Sequence, residues 1–443
     1  MSPPAASAQR STLGSPPVLA LYMDNTKGSK GPGYTIHVEN LTYSKLNVTL
    51  NFSKSTNLTV AGAKWGAGMA VTSRIDPGKG PTPFAALDPK APKKKFGVSY
   101  QASWIEAAPD PREVAHERSQ RGATVVKRIA NQKALEKTLK SPDPDSLRAA
   151  LTQPNVVQRF YVDTSFPPLG RSVGMPNAEA RTCWRRPEEF EGHAAKFHVF
   201  ADDGIDASDI AQGELGNCWF MCSLAALTEF PECIDALFTT QWQRPRVAGN
   251  ASSANAPVAD TQGMYGLRFC IHGEWLSVTI DDHFPCKPDE RAGPIFSQSH
   301  GPELWVLLVE KAYAKLQGSY YACRLGSPHE ALVDLTGAPV IKRNFKDGDT
   351  SFSDFLTWDR NDCLMSASTP GVDQQTEGGS RGGSGLVPGH AYTVIRAHVV
   401  QMGRYKGSEI LQVRNPWGSF EWSGKVSHAR REQCAGISLS PDH

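Results

Sequence analysis

Gln212-Gly213-Glu214-Leu215-Gly216-Asn217-Cys218-Trp219-Phe220 is the stretch on which the reading of this chain turns. A glycine-bounded turn leads into one cysteine, and an apolar run from Trp219 to Leu227 follows, ending at Pro231. The run predicts a buried helix with Cys218 at its N-terminus, where exposed N–H groups and the helix dipole favour thiolate over thiol. Gln212 lies just upstream and can offer a side-chain N–H to a developing oxyanion. The plain alternative is a core filler, the commonest role of a cysteine in an apolar stretch.

A cysteine nucleophile needs an imidazole close to sulfur and a third group that orients the ring. Of twelve histidines, His390 follows Gly389 and leads a predicted strand, Ala391 to Ile395, which would hold its ring at a strand end. The glycine-rich residues 376–385 just upstream read as a flexible loop that lets substrate approach. Arg414-Asn415-Pro416-Trp417-Gly418 comes directly after another predicted strand. Asn415 can accept from one imidazole nitrogen, and Trp417 can cover that pair and keep water off it. Taken singly, His390 reads as a satisfied core histidine and the Asn-Pro-Trp-Gly segment as a turn with an anchoring aromatic. Together, in the order Cys, His, Asn and each at an element boundary, they read as a site.

The remaining composition narrows the function classes. At 443 residues the chain is long enough for two or three domains, and 40% hydrophobic with 21% charged residues is ordinary for a globular protein. A net charge of +2 gives no reason to expect nucleic acid as partner, and Lys93-Lys94-Lys95 reads as a solvated loop. No apolar stretch approaches the roughly 20 residues of a transmembrane helix, and Met1-Ser2-Pro3-Pro4 opens neither a signal core nor a myristoylation site. Nine cysteines without paired C-x-x-C spacing argue against zinc and against a disulfide framework. An intracellular, cytoplasmic protein is the expectation.

Along the chain, residues 1–17 read as a disordered tail. From 18 to 104 the alternation is β: Tyr34, Ile36 and Val38, then Leu46, Val48, Leu50 and Phe52, imply strands half buried in a sandwich. Asn25-Thr26-Lys27-Gly28 and Asp76-Pro77-Gly78 read as its turns. Residues 105–160 predict a polar helical linker broken at Pro142 and Pro144. Beyond it, 161–345 would hold the nucleophile, with strands around His272-Gly273 and a helix from Glu303 to Leu316; 346–443 would hold His390 and Asn415. The fold class is α+β after a small all-β domain.

The segments around Cys218, Gly389-His390-Ala391-Tyr392-Thr393-Val394 and Arg414-Asn415-Pro416-Trp417-Gly418 resemble the calpain family of cysteine proteases. So do Phe166-Pro167-Pro168, Trp184-Arg185-Arg186-Pro187, Leu304-Trp305, Glu310-Lys311-Ala312-Tyr313 and Asp334-Leu335-Thr336-Gly337. The resemblance covers about residues 160–424. More weakly, the N-terminal sandwich resembles accessory modules of calpain-like proteins in kinetoplastids.

The resemblance implies a papain-like core in two parts and a Ca²⁺-dependent endopeptidase acting on protein substrates. Cys218 would attack the scissile carbonyl, His390 shuttle the proton, Asn415 orient it, and Gln212 with the Cys218 amide bind the oxyanion. It further implies Ca²⁺ on the Gly204 carbonyl, Asp209 and Glu330, hard oxygen ligands of the kind this ion prefers. Glu421 matches a ligand of the family's second site, but His428 stands where the family has an aspartate, so that site looks broken. Asn217 replaces the usual aspartate before the cysteine. After Gly424 the pattern stops, which implies a truncated second part with an incomplete sheet. Two other readings stay open. One is a calpain-like scaffold or cytoskeleton-associated protein with little turnover, its partner held by the N-terminal β domain. The other is a transglutaminase, which Asn415 in place of an orienting aspartate argues against.

Overall fold

In a computed structural model, the structure describes residues 9–13, 18–28, 31–41, 46–62, 69–76, 80–91, 94, 97–107, 111–190, 197–200, 204–239, 260–288, 293–299, 302–345, 348, 350–371, 386–401 and 405–417. Its strands are β1 (Gln9–Leu13), β2 (Leu19–Gly28), β3 (Gly31–Asn40), β4 (Leu46–Asn51), β5 (Leu58–Gly62), β6 (Ala70–Ile75), β7 (Thr82–Pro89) and β8 (Gln101–Glu106), then β9 (Cys183–Arg185), β10 (Met264–Ile271), β11 (Glu274–Asp281), β12 (Phe284–Cys286), β13 (Met365–Ser368), β14 (Ala391–Val399) and β15 (Glu409–Arg414). Its helices are α1 (Pro111–Glu136), α2 (Pro144–Leu151), α3 (Gly170–Val173), α4 (Ala178–Arg181), α5 (Cys218–Leu227), α6 (Pro231–Asp235), α7 (Trp305–Leu316), α8 (Pro328–Thr336) and α9 (Phe352–Arg360). The chain divides into two compact units. The first takes residues up to Gly122 with 185–195 and 286–294; the second takes the rest.

In the first unit, a five-stranded sheet in the order β1-β2-β3-β7-β5 shares one apolar core with a three-stranded sheet in the order β6-β4-β8. Strand β4 shows why: Leu46, Val48 and Leu50 point inward to the core while Asn47, Thr49 and Asn51 face outward. Two local expectations change here. Gln9–Leu13, read as part of the tail, pairs antiparallel with Leu19–Met23. Asn25 to Gly28, read as a turn, continue β2 in register with Gly31–Tyr34. Asp76 closes its described stretch, and Pro77 and Gly78 lie outside the described residues.

In the second unit, the later part of α1 and the whole of α2 do more than link. Leu135 and Leu139 pack with Leu147, Leu151, Tyr161 and Met264 in one cluster. Pro144 does not merely break a helix but starts one: Asp143 caps it by accepting from the Ser146 N–H at 2.9 Å, and proline suits the first helical position. Arg148 fastens α2 to Asp260 at 2.8 Å and to the Met264 carbonyl at 2.7 Å. Strands β10 and β11 form a hairpin closed by His272 and Gly273, both at positive φ (52° and 83°), as a two-residue turn of this hand requires. Helices α7 and α8 pack on that hairpin, and α5 packs on α8 and β14. Ring stacking of Phe220 on Tyr313 at 4.3 Å joins α5 to α7.

The His390 strand, β14, is central in a sheet ordered β13-β14-β15. The break in the family pattern after Gly424 implied a poorly supported core for this segment. Among the described residues it has one, built from Phe355, Met365, Val394 and Ala397, with Phe352, Leu356, Trp358 and Leu411 packed around them. The glycine-rich loop at 376–385 and everything after Trp417, including Glu421 and His428, lie outside the described residues.

Candidate active site

All ten residues of α5 are buried, which follows from a sequence apolar all round except for Ser223, whose hydroxyl is satisfied by the Trp219 carbonyl at 2.9 Å. The helix begins at Cys218, which is 6% exposed, and the Asn217 carbonyl accepts from the N–H groups of Phe220 and Met221 at 2.9 and 3.0 Å. Cys218 thus occupies the first helical position, where free N–H groups favour a thiolate. One turn along, burial pushes the Cys222 thiol well above its usual range, with Cys218 nearby as a lesser cause. A thiol held neutral in this way does not compete as a nucleophile.

Before the cysteine, the loop is clamped from below. Ala211 and Gln298 exchange backbone hydrogen bonds at 3.0 and 2.8 Å, and the Glu214 N–H donates to the Ile295 carbonyl at 3.0 Å. A Cβ at Gly213 would fall inside the van der Waals envelope of the Phe296 carbonyl oxygen, so this backbone-to-backbone approach tolerates only glycine. Gly213→Ala is therefore expected to lower kcat by about tenfold or more through displacement of the 212–218 loop; kinetics per titrated thiol would check it, and an unchanged kcat would show the clash is relieved elsewhere.

His390 is 1% exposed. Thr369 brackets it: the Thr369 Oγ1 accepts from the His390 N–H at 3.0 Å, and the Thr369 N–H donates to the His390 carbonyl at 2.9 Å. Its Nε2 lies 2.8 Å from Asn415 Oδ1. That oxygen also accepts from the Trp417 N–H at 3.1 Å, so the amide oxygen is oriented from both sides and Nε2 carries the hydrogen. Nδ1 is then the ring nitrogen able to accept a proton from a thiol. The Trp417 ring lies against the imidazole at 4.6 Å between centroids, and Tyr392 meets it edge-on at 4.9 Å.

Two hydrogen bonds join the cysteine side to the histidine side within this unit. Thr393 Oγ1 donates to the Cys222 carbonyl at 2.6 Å, fastening β14 to α5. The Gln212 N–H donates to the Pro416 carbonyl at 3.0 Å, fastening the loop before Cys218 to the turn after Asn415. Burial raises the Tyr392 hydroxyl, and Cys218 is close enough to add to the effect. The structure therefore gathers Gln212, Cys218, His390, Asn415 and Trp417 into one neighbourhood.

The Gln212 side chain departs from expectation: its Nε2 donates to the Leu215 carbonyl at 2.6 Å, within its own loop. An amide nitrogen carries two hydrogens, so one remains for a ligand. The motif reading gave Thr393 no role of its own: it lies within the histidine motif, but what it does shows only when β14 meets α5.

For Ca²⁺, Gly204 has φ 100°, which turns its backbone in a way side-chain-bearing residues rarely adopt. Asp209 is buried and one of its oxygens accepts from the Asp206 N–H at 2.7 Å, while Glu330 stands exposed in the first turn of α8. One carbonyl and two carboxylates suit Ca²⁺ chemically, with further oxygens needed to complete its shell. Among the described residues, no group of three or more His, Cys, Asp or Glu side chains is gathered for a metal.

The sequence model of the calpain family cysteine proteases matches residues 161–434. The chain belongs to the calpain family. The match begins after the N-terminal sandwich and contains Gln212, Cys218, His390 and Asn415. Human calpain-9 is 35% identical over 278 residues, which cover 62% of this chain and 37% of that protein. Rat calpain-13 is 32% identical over 288 residues, covering 62% of this chain and 39% of the relative. The calpain-type cysteine protease DEK1 of Arabidopsis thaliana is 33% identical over 292 residues, covering 61% of this chain but 12% of its own length. The chain thus matches well under half of the length of these relatives. No helix among the described residues is long and apolar enough to cross a membrane.

Proposed function

We propose that this calpain-family chain is a cysteine endopeptidase that cuts protein substrates at limited positions by a Cys-His-Asn mechanism. The observation that carries the reading is the 2.8 Å bond from His390 to Asn415 on a strand bonded to the cysteine helix through Thr393. In the proposed cycle His390 Nδ1 takes the Cys218 proton, and sulfur adds to the scissile carbonyl carbon. The Cys218 N–H and the second Gln212 N–H stabilise the oxyanion. The imidazolium then protonates the leaving amine, and a water deprotonated by His390 cleaves the thioester, freeing the acid and the thiol. Asn415 holds the ring through both steps, and Trp417 shields that bond from water.

We further propose that the Gly204 carbonyl, Asp209 and Glu330 hold Ca²⁺. The ion would supply no bond chemistry; its binding would order the 204–209 loop against the start of α8. Shared hard-oxygen chemistry supports this part.

The test is labelling by an electrophilic peptide probe, with and without Ca²⁺. Labelling is expected at Cys218, faster with Ca²⁺, and lost in Cys218→Ala. A probe that never reaches Cys218 sinks the peptidase reading, while equal rates in both samples sink the calcium part alone.

A further inference from the structure

One buried carboxylate near the site has no part in the chemistry above. Glu310 lies on α7, is 4% exposed, and has both oxygens engaged. Oε1 accepts from Asn217 Nδ2 at 2.8 Å. Oε2 accepts from the Ser297 N–H at 3.1 Å and from the Ser297 hydroxyl at 2.7 Å. Burying a carboxyl among apolar side chains costs several kcal/mol unless its oxygens are satisfied, so a group this enclosed needs its partners in place.

What those partners do is specific. Asn217 is the residue whose carbonyl starts α5 and whose peptide bond leads into Cys218. Ser297 belongs to the segment 295–298, the floor of the loop before the cysteine: Ile295 accepts from Glu214, Phe296 presses on Gly213, and Gln298 pairs with Ala211. One side chain therefore grips both ends of the Gln212–Cys218 loop, the nucleophile end directly and the oxyanion end through its floor. The amide at position 217 matters, because its N–H donates to Glu310, whereas an ionised carboxylate there has no N–H to give.

We infer that Glu310 is a positioning residue for the proposed peptidase reaction, fixing the distance between the Cys218 thiol and the Gln212 oxyanion donor by clamping Asn217 and Ser297 at once. Misplacement of reacting groups by about 1 Å can cost about a hundredfold in rate. Among the described residues, Cys323 is a titratable neighbour of Glu310, and burial, with Glu310 as the lesser cause, raises its thiol and keeps it protonated.

The inference rests on the peptidase reading, so its test has two independent readouts. Turnover of a quenched peptide, per titrated thiol, is compared for wild type, Glu310→Ala, Glu310→Gln and Asn217→Ala. In parallel, alkylation of Cys218 by iodoacetamide is followed from pH 5 to 9, which requires no peptidase activity. Glu310→Ala is expected to lose about a hundredfold in kcat with KM within threefold, and to move the alkylation midpoint. Glu310→Gln can still bridge if the Asn217 amide turns over, and should recover at least tenfold of that loss. Asn217→Ala releases only the cysteine end and should fall between them; it also serves if Glu310→Ala fails to fold. A folded Glu310→Ala or Asn217→Ala protein with wild-type kcat and an unmoved alkylation profile would overturn the assignment. A wild type without turnover would overturn the peptidase reading instead, and the alkylation profiles would still decide the role of Glu310.

Discussion

Replacing His390 with alanine is expected to lower kcat/KM for peptide hydrolysis by about 10⁴-fold or more, as loss of the base in such a constellation does elsewhere. The size follows from how completely the ring is committed. Its Nε2 is held by Asn415, the Trp417 and Tyr392 rings pack against it, and its backbone is bracketed by Thr369. Loss of the imidazole should also remove the acidic limb of the pH profile of Cys218 alkylation, because that limb belongs to the pair and not to either group. Asn415→Ala should be milder, since the ring would stay on its strand and lose only its orientation. A His390→Ala protein that retains kcat/KM within tenfold would remove His390 from the mechanism.

The second large effect concerns stability. Lys311→Met is expected to destabilise the protein by about 3–5 kcal/mol, the usual cost of stranding a buried charge. Lys311 and Asp281 are both fully buried, and the lysine ammonium bonds to the Asp281 carboxylate and to the His283 carbonyl, the latter at 2.7 Å. Asp281 also accepts from the backbone N–H groups of Asp163 at 2.6 Å and His283 at 2.8 Å, so it ties the segment that follows α2 to the end of the β10–β11 hairpin. Burial alone would raise its carboxyl; Lys311 and His283 overcome this and hold it well below the usual carboxylate range. With the folded value below the unfolded one, this stability is present above pH ~4, the unfolded carboxyl's range, and is lost only as pH falls toward the folded value. Lys311→Met should reverse the shift, so the gap between variant and wild type narrows on acidification. Denaturant melts at pH 7 and pH 4 check both points. A gap below about 1 kcal/mol at pH 7 would mean that the carboxylate finds another partner.

Much of the site was legible in the sequence for local reasons. Ten residues behind a glycine turn, apolar but for Ser223, leave no polar face, so they must form a buried helix that starts at Cys218. The alternation in Leu46 to Phe52 and the His272-Gly273 turn are equally local, because side-chain period and backbone sign are properties of a few adjacent residues. The order Cys218, His390, Asn415 named the candidate residues. Each of those readings depended on neighbours in the chain.

Other features depended on neighbours in space. Gln9–Leu13 looked like tail because its strand character comes from pairing with β2, and Leu135 and Leu139 looked like linker because their partners reach as far as Met264. Gln212 was marked as an oxyanion donor, but the turn back of its amide to Leu215 is set by the fold of its own loop. Glu310 stood in a recognisable motif with no role, since Asn217 and Ser297 reach it only once α5, α7 and the 295–298 segment converge. The sequence by itself thus determined which groups can do the chemistry, because nucleophile, base and orienter are choices of residue type. Only the tertiary structure decided how they are held, because a buried carboxylate acts through hydrogen bonds of a few ångströms between residues far apart in the chain.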